Sequence, residues 1–299
     1  MKLIPHLTAV ALALAASGCT RIGFTLANMP GYFTTTEVTR DVPFGSAARQ
    51  KLDIYSPAEH SDTPRDVVVF FYGGRWETGT RQDYRFVGEA FAKRGFITII
   101  PDYAKYPDVK FPVFVEDGAK ALAWVFDNAS KLGGNPARIH VAGHSAGAHI
   151  GALLSVDPHY LQALGKDRAA VIHDFTGLAG PYSFVPDAPD LIDMFGPPAN
   201  YPLMQATTFV DGTQPPMLLL WGADDTDVKR SNLDKMIGAI HAKGGCLTTK
   251  IYPKTTHVGI AAGLTWMNPD HISVLQDMSA YFNAHPLPGK CPTLDEPQG

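Results

Sequence analysis

The chain contains no internal repeat and no low-complexity tract, and its longest mostly apolar stretch, Leu7 to Ala16, falls well short of the ~20 residues a bilayer-crossing helix requires. Those absences count against a repeat architecture and against a membrane-spanning helix in that stretch. Neither sign of charge dominates. The 25 basic and 29 acidic residues leave a formal charge of −4, too small a field to hold nucleic acid or an anionic membrane by itself. Partners must therefore be sought in local sites. Cysteine is scarce, at three residues. What the chain has in quantity is apolar side chain: 45% of 299 residues, enough for one large domain or two small ones around a sizeable core, and too much for a disordered chain.

The first residues carry Lys2, the apolar stretch Leu7 to Ala16, and then Ser17-Gly18-Cys19, which is the layout of an export signal over 1–18. Ala16-Ser17-Gly18-Cys19 resembles a bacterial lipobox, and the resemblance implies that Cys19 becomes the lipid-modified first residue of the mature protein. Thr20, not aspartate, follows it, which by the same resemblance implies an outer-membrane anchor facing the periplasm. Ala16 stands where leucine is usual, so ordinary signal cleavage remains open. With Cys19 so used, Cys246 and Cys291 are an even pair in an oxidising compartment, open either to a disulfide that would tie the C-terminal tail to the body or to two unrelated thiols.

Residues 19–36 are short on charge and rich in Gly, Thr and Asn, and read as a tether. A domain over 37–285 and a tail over 286–299 follow. Within the domain, short apolar runs alternate with helical patterns, as in a mostly parallel sheet of about eight strands covered by helices on both faces. Strands are expected at Val38 to Phe44, Lys51 to Tyr55, Val67 to Tyr72, Phe96 to Ile100, Ile139 to Ala142, Val171 to Leu178, Met217 to Trp221 and Thr248 to Tyr252. The clearest helices run from Val113 to Leu132, stopped by Gly133-Gly134, from Lys229 to Lys243, and from His271 to Asn283.

One segment carries chemistry on its own. Gly143-His144-Ser145-Ala146-Gly147 lies between an apolar strand and small, helix-compatible residues. A serine hydroxyl needs a base to take its proton, and a sharp strand-to-helix turn lifts it to where a base can reach. On such an architecture the acid and the histidine follow in that order, on loops after later strands. Met217 to Trp221 is followed by Gly222-Ala223-Asp224-Asp225-Thr226-Asp227-Val228; Asp225 has the better register, with Asp224 and then Asp227 as alternatives. A calcium loop would need a later glycine and glutamate that are missing here. Thr248 to Tyr252 is followed by a loop holding one histidine, His257, whereas His241, His271 and His285 lie in or beside helices. Gly73 and Gly74, after the Val67 strand, are placed to offer backbone N–H groups to an oxyanion together with that of Ala146.

In that order the motifs resemble those of an α/β-hydrolase, of the compact esterase/lipase group that includes hormone-sensitive-lipase-like carboxylesterases, acetyl and feruloyl esterases and kynurenine formamidases. The likeness runs from Lys51 to the final helix and includes Pro101-Asp102-Tyr103, Phe111-Pro112, Asp117, Trp124 and Gly177 to Tyr182. Tyr72 stands where the group usually has histidine, and Ala104-Lys105 where it has Arg-Leu. The resemblance implies a serine esterase acting on short- to medium-chain or soluble esters through an acyl-enzyme, with no cofactor. A formamidase or amidase, or a non-catalytic ligand-binding lipoprotein on the same fold, are the alternatives. Asp102 and Asp117 are expected to be framework hydrogen-bonders. His140, His144 and His149 are expected around the nucleophile, in no zinc-binding spacing. Trp76, Tyr103, Tyr182 and Phe184 are candidates for an apolar pocket, and the short segment Tyr182 to Gln214 for its lid. Oligomeric state is not legible.

Overall fold

The structure is a computed structural model that describes residues 22–29 and 36–284 together with Cys291 and Leu294. The export signal and Cys19 lie outside the described residues, as does most of the tail. Eight strands form one sheet: β1 Glu37–Pro43, β2 Lys51–Ser56, β3 Arg65–Phe71, β4 Ile97–Pro101, β5 Gly134–His144, β6 Asp174–Leu178, β7 Met217–Gly222 and β8 Leu247–Tyr252. Their spatial order is β1-β2-β4-β3-β5-β6-β7-β8. β1 and β2 join antiparallel, β2 meets β4 antiparallel, and every later pairing is parallel.

Burial explains the sequence pattern. Strands β3, β4 and β7 are near-continuous apolar runs because parallel strands between helical layers are covered on both faces. Of the edge strands, β1 is largely exposed and β8 mostly half-buried, and between them they carry Thr, Lys, Arg and Asp. β5 is longer than its apolar core, reaching back to Gly134 through Asn135-Pro136-Ala137. The segment from Val171 onward is strand only from Asp174, because Arg168–Val171 closes a helical turn capped by the Asp167 side chain.

The helices are α1 (22–28), α2 Arg85–Ala92, α3 Val113–Asn128, α4 Ala146–Val156, α5 His159–Gln162, α6 Arg168–Val171, α7 Pro189–Phe195, α8 Tyr201–Met204, α9 Ser231–Ala242, α10 His257–Ala262 and α11 Val274–Asn283. α2 and α11 meet on one side of the sheet, where Phe91 and Phe282 touch. α3 and α4 meet on the other. Because side chains alternate along a strand, β5 turns Val141 toward α4 and His140 toward α11. Short α7 and α8 and two 3-10 turns make up the stretch between Tyr182 and Gln214.

The expected tether is corrected in part. Residues 22–28 form a helix packed on the body: Phe24 lies 5.4 Å from Tyr84 between ring centroids and Ala27 is buried. Asn28 Nδ2 donates to the Asp83 carbonyl at 3.0 Å, and Asn28 Oδ1 accepts the Phe86 N–H at 2.8 Å. That second bond has a physical reason. α2 starts without a side-chain cap of its own, so one of its orphan N–H groups is satisfied by a residue from a distant segment. At the other end of the chain, Cys246 and Cys291 are joined as a disulfide with Cα atoms 5.3 Å apart, and Leu294 packs against the core.

Candidate active site

Parallel strands that end at one level bring their following loops together. β5 and β6 run in register up to His144 opposite Leu178, and β7 and β8 up to Gly222 opposite Tyr252. The loops after β3, β5, β7 and β8 therefore converge on the C-terminal edge of the sheet, where open α/β sheets bind ligands.

Ser145 sits between β5 and α4 with φ 53° and ψ −120°, a backbone conformation costly for a residue with a Cβ. The turn needs glycine on both sides. A Cβ on Gly147 would lie 2.0 Å from the Phe71 carbonyl oxygen, and one on Gly143 2.5 Å from the Gly147 carbonyl. The strain lifts the hydroxyl clear of the strand. Ser145 Oγ lies 2.8 Å from His257 Nε2, and His257 Nδ1 lies 2.8 Å from Asp225 Oδ2. The other carboxylate oxygen, Oδ1, accepts the N–H groups of Asp227 and Val228, both at 3.0 Å. Asp225 is thus aimed by its own turn, and its side chain is fully buried. Asp224 is exposed, and Asp227 contributes its N–H alone to that turn. Of the three carboxylates left open by the sequence, Asp225 is the one that reaches His257. The histidine begins α10, where Thr256 caps the helix by accepting the Gly259 N–H at 3.0 Å.

His144 ties three of these loops together. It precedes Ser145 in the chain, its Nε2 donates to the His257 carbonyl at 2.9 Å, and a Cβ on Gly73 would come within 2.8 Å of its Nδ1. Burial without an acidic partner drives its pKa down to about 3, with the nearby His257 adding to the effect, so the ring is neutral. Spacing alone did not single out this role. The only signal in the sequence was adjacency to the nucleophile.

The loop after β3 turns through Gly74 at φ 137°, Arg75 at 55° and Trp76 at 60°. Gly73 approaches Ser145 closely, within 3.2 Å of its Cβ for an added Cβ. Gly73 and Gly74 after β3 and Ala146 after Ser145 thus lie on two loops that meet at Ser145. Tyr72 hydrogen-bonds through its hydroxyl to Asp102 Oδ1 at 2.7 Å and stacks on Tyr103, whose own hydroxyl donates to the Tyr72 carbonyl at 2.9 Å. Lys105 Nζ lies 5.3 Å from the centroids of both rings. The two departures from the group pattern, Tyr72 and Lys105, are therefore in contact with each other.

Asp102 and Asp117 are framework residues. Asp102 also holds Arg81, and buried Asp117 accepts from Gln50 at 2.8 Å, Arg49 at 3.0 Å and the Ala104 N–H at 3.1 Å. Two pocket candidates are corrected. Tyr103 is buried beneath the loop after β3, its hydroxyl satisfied by backbone, and Tyr182 is wholly buried against Gly177 and Gly180. Trp76 and half-buried Phe184 stack at 5.8 Å, and both lie edge-on to Phe195 of α7. His149 joins this cluster at 5.1 Å from Trp76 and bonds the Met204 carbonyl at 2.7 Å, joining α4 to α8. His140 is corrected too. It lies four residues before His144 on a strand rising ~3.3 Å per residue, far from Ser145, between Asp174 and Asp66. Among the described residues, no group of three or more His, Cys, Asp or Glu could hold a metal ion.

A mostly parallel eight-stranded sheet with these loops at its C-terminal edge is the α/β-hydrolase fold. The solved structure of an inhibited esterase B from Lactobacillus rhamnosis superposes with a TM-score of 0.76, covering 92% of this chain and 95% of its own at 19% identity. Residues 52–173 match the BD-FAE family. A probable isoprenylcysteine alpha-carbonyl methylesterase, ICMEL1, of Oryza sativa subsp. japonica is 31% identical over 183 residues, 58% of this chain and 42% of that protein. The kynurenine formamidase of Danio rerio is 30% identical over 126 residues, 42% of this chain and 41% of its own. The chain thus spans less than half the length of these two curated relatives. The chain therefore has the α/β-hydrolase fold, and its sequence likenesses are to esterases and a formamidase.

Proposed function

We propose that the protein is a serine carboxylic ester hydrolase that works through an acyl-enzyme. The observation that carries this reading is the hydrogen-bonded chain Ser145–His257–Asp225 at the sheet edge. Ser145 Oγ attacks the ester carbonyl while His257 Nε2 takes its proton, and Asp225 holds the Nδ1–H side of the imidazolium. The N–H groups of Gly73, Gly74 and Ala146 are placed to meet the oxyanion. Nε2 returns the proton to the departing alcohol, and a water then repeats the sequence to release the acid.

The short helices of the lid segment leave no large cap over the site, which favours short- to medium-chain or soluble esters. Trp76 and Phe184 would line the apolar side. We further place the enzyme in the periplasm, exported and held by a lipid on Cys19. The likeness to a kynurenine formamidase supports a second reading, an amidase using the same residues with a different leaving group.

The test is fluorophosphonate labelling of wild type and Ser145→Ala, beside turnover of p-nitrophenyl esters, acetylated sugars, feruloyl esters and N-formylkynurenine. Labelling that vanishes in Ser145→Ala, with ester turnover, is expected. Wild type that takes no label would leave a non-catalytic ligand-binding lipoprotein, and preference for N-formylkynurenine would select the amidase.

A further inference from the structure

Helix α1 has two sides with different fates. Phe24, Ala27 and Asn28 face the body, while Ile22, Leu26 and Met29 recur at i, i+4 and i+7 on the outer side and are exposed, Ile22 by 63%. The loop after α10 extends that side. Trp266, 58% exposed, donates its indole N–H to the Leu26 carbonyl at 3.1 Å, and exposed Met267 follows it. Five large apolar side chains gathered on one part of the surface mark an interaction face more than ordinary surface. Exposed Lys93 and Arg94 line, with Trp266 and Ala27, a groove of about 400 Å³ beside it. Apolar groups with a tryptophan, rimmed by cations, are the composition of a surface that rests in the headgroup region of a bilayer.

Chain length points to the same occupant. Only Thr20 and Arg21 separate Cys19 from Ile22, a reach of roughly 10 Å at full extension. A free tether over 19–36 would have let the domain stand away from an anchor at Cys19. With α1 packed on the body, a lipid carried by Cys19 would be limited to that reach from the start of α1.

We propose that the outer side of α1, with Trp266 and Met267, docks on an anionic phospholipid surface, Lys93 and Arg94 meeting the headgroup phosphates. The inference rests on membrane attachment just before α1 and is independent of whether Ser145 cleaves esters.

The full-length protein, processed by its host, is reconstituted in phosphatidylethanolamine–phosphatidylglycerol vesicles with and without brominated acyl chains. Bromolipid is expected to quench tryptophan emission in wild type, and Trp266→Phe is expected to lose the quenched component. Leu26→Glu, with its fold checked by circular dichroism, should reduce quenching. Lys93→Gln and Arg94→Gln should each lower the affinity of unanchored protein for these vesicles by roughly five-fold at low salt. Equal quenching in wild type and Trp266→Phe, or none in either, overturns the proposal. So does cross-linking of two copies through Trp266 while its emission stays unquenched, which would assign the face to a dimer.

Discussion

Among the described residues, two buried histidines make the same first bond and only one of them faces a serine. His257 Nδ1 meets Asp225 Oδ2 at 2.8 Å, and His140 Nδ1 meets Asp174 Oδ2 at 2.7 Å. At the C-terminal edge of the sheet, His257 Nε2 finds Ser145 Oγ at 2.8 Å. Earlier on β5, His140 Nε2 finds a second carboxylate, Asp66, at 3.4 Å, and the ring is covered by Phe282 at 4.6 Å between centroids. Burial opposes protonation of His140, but the two aspartates outweigh it and hold its pKa above the usual imidazole value. A His–Asp pair is therefore not in itself a catalytic device. What distinguishes the site is a free imidazole nitrogen aimed at a strained, partly accessible serine.

The sharpest way to break the comparison is to remove each aspartate's charge. Asp225→Asn should lower ester turnover by about 10⁴-fold, because the amide favours the wrong imidazole tautomer, while the protein stays folded. Asp224→Asn should leave turnover nearly unchanged, since its exposed carboxylate does not touch His257. Asp174→Asn should do the reverse of Asp225→Asn. Breaking a buried ion pair by one partner costs roughly 3 kcal/mol of stability, read as a lower denaturant midpoint, with kcat of the folded fraction retained. Equal loss of kcat in the Asp174 and Asp225 variants would abolish the distinction.

A smaller effect is expected at His144. His144→Phe keeps the ring but removes the bond to the His257 carbonyl, so kcat should fall by about tenfold, the value of one hydrogen bond, with KM little changed. His144→Gln, which can still donate, should recover part of the loss. A fall in KM-dependent binding alone would place His144 against substrate instead of behind the base.

Much of this was legible beforehand, and the reasons differ by element. Strands β3, β4 and β7 announce themselves because burial on both faces demands unbroken apolar runs. Ser145 and His257 are readable because glycines and loop position bear on few alternatives. The register between Gly222 and Val228 favours Asp225 over Asp224 and Asp227, and the physical reason for that register is that the Asp225 carboxylate accepts the Asp227 and Val228 N–H groups. The misplaced residues share a cause. Tyr103 and Tyr182 are amphipathic side chains whose direction depends on distant backbone. α1 is held by Asn28 capping a helix more than fifty residues away, a bond between segments that nothing local encodes. His140 was a different failure, since its distance along the strand from Ser145 follows from strand geometry alone.

The smallest effect concerns acid. His144 and His149 are buried with only carbonyl partners, and burial holds their pKa values near 3 and 4. In the unfolded chain both take protons below about pH 6.5, while in the folded protein they stay neutral, so each lowers stability as pH falls from there. His140 has the opposite sign. Its raised pKa contributes stability that is complete below pH ~6.5 and lost as pH rises through the folded value. Denaturant unfolding between about pH 5 and 8 separates them, each group setting a slope of at most ~1.4 kcal/mol per pH unit. In Asp174→Asn the His140 contribution should shrink, so stability should fall more steeply on acidification than in wild type. A pH dependence identical in the two proteins would mean that His140 owes its protonation to Asp66, and that its pairing with Asp174 only imitates the geometry at His257.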